Sequence, residues 1–168
     1  MNYSECIENA RTRIGNYCKA CPECNGRACK NQMPGPGAKG IGDTAIRNYD
    51  KWKEIRVQMD TIAENKPVDT SLELFGKKFL YPFFAGPVGA VGLHYGDCLD
   101  DVRYNDILVS ACAKYGIAAF TGDGLDSNVM VAATKAIGKT DGIGIPTVKP
   151  WNIDTVAEKM KMVQESRP

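Results

Sequence analysis

At 168 residues, with 43% apolar and 24% charged side chains, the chain has ordinary globular composition and enough length for a domain with a real core. A formal charge of +1, with Lys and Arg interspersed among Asp and Glu, offers no basic stripe, so nucleic acid is not an expected partner. The longest uncharged stretch, Phe79 to Leu93, is too short to cross a bilayer and is broken by Pro82 and Pro87, and the first five residues lack the basic start and apolar run of a secretory signal. No membrane association and a cytoplasmic location are therefore expected.

In chain order, Ile7, Ala10, Ile14 and Tyr17 keep a helical spacing and predict a helix from Ser4 to Tyr17, with Ser4 as cap. A cysteine segment follows, then Pro34-Gly35-Pro36-Gly37 with Gly40 and Gly42, a run that cannot hold regular structure. This marks a boundary between an extension over residues 1–42 and a second region over 43–168. Asp43 is placed as the cap of a helix carrying Ile46, Tyr49, Trp52 and Ile55 on one side. Ser71 to Phe75 and Lys78 to Leu80 read as a hairpin around Gly76.

From Tyr81 a repeat begins. A strand ending at Ala85 leads through a glycine-rich loop to a helix near Val102 to Tyr115, closed by Gly116; a strand Ile117 to Phe120 leads to a helix near Ser127 to Ile137, closed by Gly138. A third strand, Ile145 to Val148, hands over to a helix from about Asp154 to Gln164. Short, fully apolar strands separated by helices signal a parallel sheet covered by helices. The predicted fold class is α/β, a partial TIM-type (β/α)8 barrel of about three βα units behind a helical, cysteine-rich extension. A closed barrel takes ~250 residues, and 87 lie between Pro82 and the last residue. The chain is expected to stop before the fold is complete.

Cys18, Cys21, Cys24 and Cys29 place four thiols within twelve residues, at intervals of three, three and five. Seven cysteines in all suit a disulfide framework badly, and a reducing compartment keeps them as thiols or metal thiolates. The spacing is too compact for the usual two-knuckle zinc site and matches neither common ferredoxin run. One bound metal centre, an iron-sulfur cluster or zinc, is the expectation; four reduced thiols or an adventitious disulfide is the alternative. Cys6, Cys98 and Cys112 read as small packing residues.

Ala85, Gly86, Pro87, Val88 and Gly89 end the first barrel strand, where small residues let a flat ring lie against the main chain. A tight strand-to-loop turn is the plainer reading. Thr121 and Gly122 end the second strand with a hydroxyl and exposed amides, and Asp123 reads as a cap or turn residue. Lys149 ends the third strand, either as a cation at the barrel top or as a lysine reaching into solvent. Gly35 to Gly40 fits G-x-G-x-x-G, but no strand precedes it, so the dinucleotide reading is rejected. His94, the only histidine, lies in the loop after the first strand and carries no assigned role.

Taken together, the CxxCPxCNGxxC segment, the Leu74-Phe75-Gly76-Lys77 hairpin, Pro82 to Gly89, Thr121-Gly122-Asp123-Gly124 and Ile145 to Trp151 resemble a bacterial group of FMN-dependent α-hydroxy-acid oxidising proteins, over nearly the whole chain. The resemblance implies FMN across the barrel top, ring contacts from Ala85 to Gly89, and polar-edge contacts from Thr121 or Gly122 and from Lys149. It further implies a small 2-hydroxy acid as substrate, hydride transfer to flavin N5, and a homo-oligomer. The family's catalytic histidine, substrate arginine, flavin lysine and phosphate site belong to later strands, so no catalytic residue is assigned, and the chain alone is expected to bind FMN weakly or not at all and to be inactive. Lys149 departs from the amide or aromatic residue usual at the third strand. An FMN-dependent isopentenyl diphosphate isomerase-like barrel, or a metal-binding or electron-relay module built on the cysteines, are the alternatives.

Overall fold

The computed structural model describes residues 2–15, 18–29, 43–141 and 143–166. The Pro34 to Gly42 run, the G-x-G-x-x-G match and Tyr17 lie outside them. The chain divides into two compact units, Met1–Lys66 with Gly92–Cys98, and Pro67–Val91 with Leu99–Pro168.

In the first unit, α1 spans Tyr3–Arg11 and α2 spans Thr44–Trp52. The cap of α1 is Asn2, not Ser4: its side chain accepts the Glu5 N–H while the Glu5 carboxylate accepts the Asn2 N–H at 2.9 Å, a reciprocal capping box. Asp43 precedes α2 without a side-chain cap bond. The short α3, Val91–Tyr95, runs into this unit. A Cβ on Gly15 would sit 2.9 Å from the Gly96 backbone nitrogen, so glycine at both positions lets the two chain segments touch.

The second unit opens with an antiparallel hairpin, β1 (Leu72–Leu74) and β2 (Lys77–Phe79), in register Leu72 to Phe79. Phe75 and Gly76 both take positive φ, at 52° and 73°, which gives the primed turn that matches strand twist. Three helices follow, α4 (Asp101–Lys114), α5 (Ser127–Lys139) and α6 (Ile153–Ser166), with α4 packed on α5 and α5 on α6. Asp100 and Asp126 cap α4 and α5 through their carboxylates. Gly116 sits just past α4 at φ +73°, as expected for a closing glycine. Gly138 lies inside α5 instead, and Thr140 ends that helix with its hydroxyl on the Ala136 and Ile137 carbonyls.

The three predicted barrel strands shrink to parallel bridges, Ala85 to Ala119 and Phe120 to Ile145. Backbone bonds of 2.8 to 3.0 Å join them: Ala85 N–H to Ala118, Phe120 N–H to Ala85, Thr121 N–H to Ile145 and Ile145 N–H to Ala119. Proline explains the short ladders, because Pro82 and Pro87 bracket the first segment and Pro146 follows the paired residue of the third, each without an N–H to donate. The segments nevertheless lie side by side in chain order with helices between them, a partial α/β arrangement. Their helix-facing side closes the core: Ala119 packs with Val109, Cys112, Ala136 and Ile137, and Ala85, Leu108 and Ile117 flank the cluster. Complete burial of an aliphatic side chain such as Ile137 stabilises by roughly 1.5–3 kcal/mol.

Candidate functional site

The side of the three segments away from that core is hollow. Phe84, Gly86 and Pro87 from the first segment, Phe120 from the second, and Pro146 and Thr147 from the third line a concave face of about 740 Å³. Phe84 meets Phe120 edge to face, with ring centroids 6.5 Å apart. These lining groups are apolar or neutral. A Cβ added to Gly86 would meet no heavy atom within 4 Å, so the main chain there is open to a flat partner.

The residues expected to bind a cofactor divide into three kinds. Gly86 and Pro87 line the hollow, whereas Ala85 packs against the core. Val88 and Gly89 carry a different duty, since a Cβ on Gly122 would fall 2.1 Å from the Val88 carbonyl oxygen and one on Gly89 would fall 3.1 Å from the Asp123 carbonyl oxygen. The loops after the first and second segments are thus locked backbone to backbone. The Gly122 N–H is already engaged, donating to the Asn105 side chain at 3.3 Å. Thr121 is fully buried, and its hydroxyl has no hydrogen-bond partner among the described residues. It lies two residues beyond Ala119, so strand alternation sets it with the core side rather than with Phe120. Lys149 is exposed, and its backbone N–H donates to Asp123 at 2.8 Å.

Helix α4 supplies the scaffold beneath the loops. Asp101 accepts the Val91 N–H through both carboxylate oxygens at 3.3 and 3.4 Å, and Asn105, fully buried, bridges the Asp101 carbonyl and Gly122. Asp123 is the polar centre of the unit, not a simple turn residue. Its Oδ2 accepts the Lys149 N–H and, at 2.7 Å, the Trp151 indole N–H, while Oδ1 pairs with the Lys159 ammonium. Burial pushes the Asp123 carboxyl up, but the bonds from Lys149, Lys159 and Trp151 and the Lys159 charge outweigh it and hold the group below its usual value.

The first unit holds the four clustered cysteines. Tyr3 donates its hydroxyl to the Pro22 carbonyl at 2.6 Å, Arg27 pairs with Asp50 at 3.4 Å, and Gly26, at φ +74°, packs against Ala45. All four thiols are free. Among the described residues no group of three His, Cys, Asp or Glu side chains is gathered as a metal would require, so the expected metal centre at Cys18, Cys21, Cys24 and Cys29 is not assembled. The reason is local: the segment is tied to the helices at several points instead of wrapping one centre, and the Cys29 thiol donates to the Gly26 carbonyl at 3.8 Å. Burial pushes the Cys29 thiol up, as does the charge of Cys24 and, more weakly, of Cys18 and Cys21. His94, also in this unit, packs edge to face on Tyr95 and leaves Nε2 without a hydrogen-bond partner among the described residues.

The profile of the family described as FMN-dependent dehydrogenase matches residues 35–147, over half of the chain. The chain belongs to that family. No curated protein and no solved structure matches it. As an FMN-dependent dehydrogenase it is an FMN-dependent oxidoreductase, and the hollow face fits the cofactor's ring: apolar walls from three segment ends, with an uncovered main chain at Gly86. Among the described residues, no helix is long and apolar enough to cross a membrane.

Several residues of the site escaped the sequence reading. The sequence marks Phe120, Pro146 and Thr147 only as strand residues. Asn105 and Lys159 were readable in principle, because each interrupts the apolar face of its helix, Asn105 with Leu108, Val109 and Cys112, and Lys159 with Val156 and Val163. A polar group at such a position needs a buried partner.

Proposed function

We propose that this chain supplies the flavin seat of an FMN-dependent dehydrogenase that oxidises a small 2-hydroxy acid, and that the hollow beside Gly86 and Pro87 is the place of the flavin ring, at the mouth of a (β/α) barrel begun by the three parallel segments. The observation that carries the reading is the convergence of all three segment ends on one apolar concavity. FMN, when bound, supplies a two-electron acceptor. The chain's own contributions are simpler. Gly86 and Pro87 present a flat surface, Phe84 and Phe120 exclude water from one side, and Lys149 offers a cation at the rim to the polar edge of the ring or to a substrate carboxylate. Gly122 and Gly89 keep the loops close enough for these groups to act together.

The lining groups carry no charge, so the ring and not the phosphate should dominate affinity for this chain. Fluorescence titration with FMN and riboflavin is the direct test. Weak but saturable quenching by both, within about threefold of each other, is expected, and absence of binding by either overturns the reading. The substrate class is read from the bound flavin's absorption. Lactate or glycolate should perturb it, and Lys149→Ala should abolish the effect; a response to isopentenyl diphosphate alone would favour the isomerase chemistry.

A further inference from the structure

The third segment leaves its ladder at Pro146 and turns across Lys149 to Trp151, where the Trp151 N–H reaches back to the Lys149 carbonyl at 2.8 Å. A three-residue turn has little rigidity of its own. Asp123 holds both of its ends, through the Lys149 N–H at 2.8 Å and the Trp151 indole at 2.7 Å. Beneath it, the Lys159 ammonium pairs with the other carboxylate oxygen, donates to the Gly124 carbonyl at 3.2 Å and lies 5.0 Å from the Trp151 ring centroid. Asp123 is 2% exposed and Lys159 6%, so neither is available to a ligand in the hollow.

Such a pair is an inefficient way to stabilise a fold, because the cost of desolvating two charges consumes most of their attraction. Its return is a single fixed geometry for whatever it grips. What it grips is the Lys149 N–H and the Trp151 indole, and Lys149, which is exposed, follows by two residues Thr147, which lines the hollow. We infer that Asp123, with Lys159 as its counter-cation, is a positioning residue that sets the Lys149 ammonium at the rim of the flavin seat. The inference rests on the flavin reading above and adds to it a buried device outside the ligand's reach.

The test uses a Trp52→Phe background, which leaves Trp151 as the sole indole. Riboflavin affinity, acrylamide quenching of Trp151 and circular dichroism are measured for Asp123→Asn/Lys159→Met, for Lys149→Ala, and for the combination. The double variant removes both buried charges at once and is expected to keep its helix content, to expose Trp151 to quencher and to lose about tenfold in affinity. Lys149→Ala should lose the same factor, and the combination no more, since both changes remove one ammonium from one place. Unchanged affinity in the double variant, or losses that multiply, would reduce the pair to a fold-stabilising contact. A parent protein that binds no flavin overturns the flavin reading and this inference with it, a result told apart by Trp151 quenching, which needs no flavin. If the double variant does not fold, Lys159→Arg takes its place: it keeps the cation but displaces it, and must lower affinity only where Lys149 is present.

Discussion

A Cβ on Gly122 would stand 2.1 Å from the carbonyl oxygen of Val88, and this contact fixes the spacing of the first two loops. No real side chain tolerates that distance, and the obstacle is backbone, which cannot rotate away. Gly122→Ala is therefore expected to destabilise the fold by about 1–3 kcal/mol and to abolish ring binding together with it. Gly86→Ala is the contrasting case, because its Cβ would point into open space. It should leave the urea midpoint almost unchanged, within about 0.5 kcal/mol, yet weaken flavin binding by filling the seat. Denaturation and titration on the two variants separate these effects. Equal loss of stability in both would mean that Gly86 is packed, and normal flavin binding by Gly86→Ala would move the seat elsewhere.

The helices and their order were legible because apolar periodicity and closing glycines are local signals, as Gly116 after α4 shows, whereas the caps were not, since Asn2 and not Ser4 caps α1 and Asp43 makes no side-chain cap bond. The strands were legible as apolar runs, but not their extent, since Pro146 ends pairing for a reason seen only once its neighbour is known. The loop after the first segment was found by its small residues. What composition could not distribute was duty within it, for Gly86 faces the hollow while Gly89 serves the Asp123 backbone. Asp123 was read as a turn residue because the three groups that claim its carboxylate lie 26 to 36 positions further along the chain. The cysteine spacing suggested convergence, whereas the loop is held by Tyr3, Ala45 and Asp50, none of which the motif names.

The thiols should react in an order set by exposure and charge. Cys24 is exposed, Cys29 is half-buried with its thiol pushed up by burial and by its neighbours, and Cys112 is buried in the core with its thiol pushed up by burial. Because the thiolate is the nucleophile, iodoacetamide at neutral pH is expected to label Cys24 before Cys29, and Cys112 only on unfolding. Peptide mass spectrometry after timed quenching reads the order. Labelling of Cys29 ahead of Cys24 would contradict it. Protection of all four clustered thiols until a chelator is added would instead show that they are ligands after all.

Acid should weaken the Asp123 to Lys159 pair in a direction that can be worked out in advance. The Asp123 carboxyl lies below its usual value in the folded protein, so as pH falls below about 3.9 the unfolded chain takes up a proton that the folded one still refuses. The unfolded state then binds more protons, and the stability contributed by this group, fully present near neutrality, drains away through the acid range. Asp69 is also lowered, by its bonds from Ser71, and contributes in the same sense. The charge-free Asp123→Asn/Lys159→Met protein keeps Asp69 and lacks only the buried pair, so subtracting its urea midpoint from that of the parent isolates Asp123. That difference should hold steady from pH 7 to about pH 5 and shift against the parent below about pH 4. A difference that stays constant down to pH 3 would mean that Asp123 takes up its proton over the same pH range folded as unfolded, and that the contact with Lys159 does not favour its carboxylate.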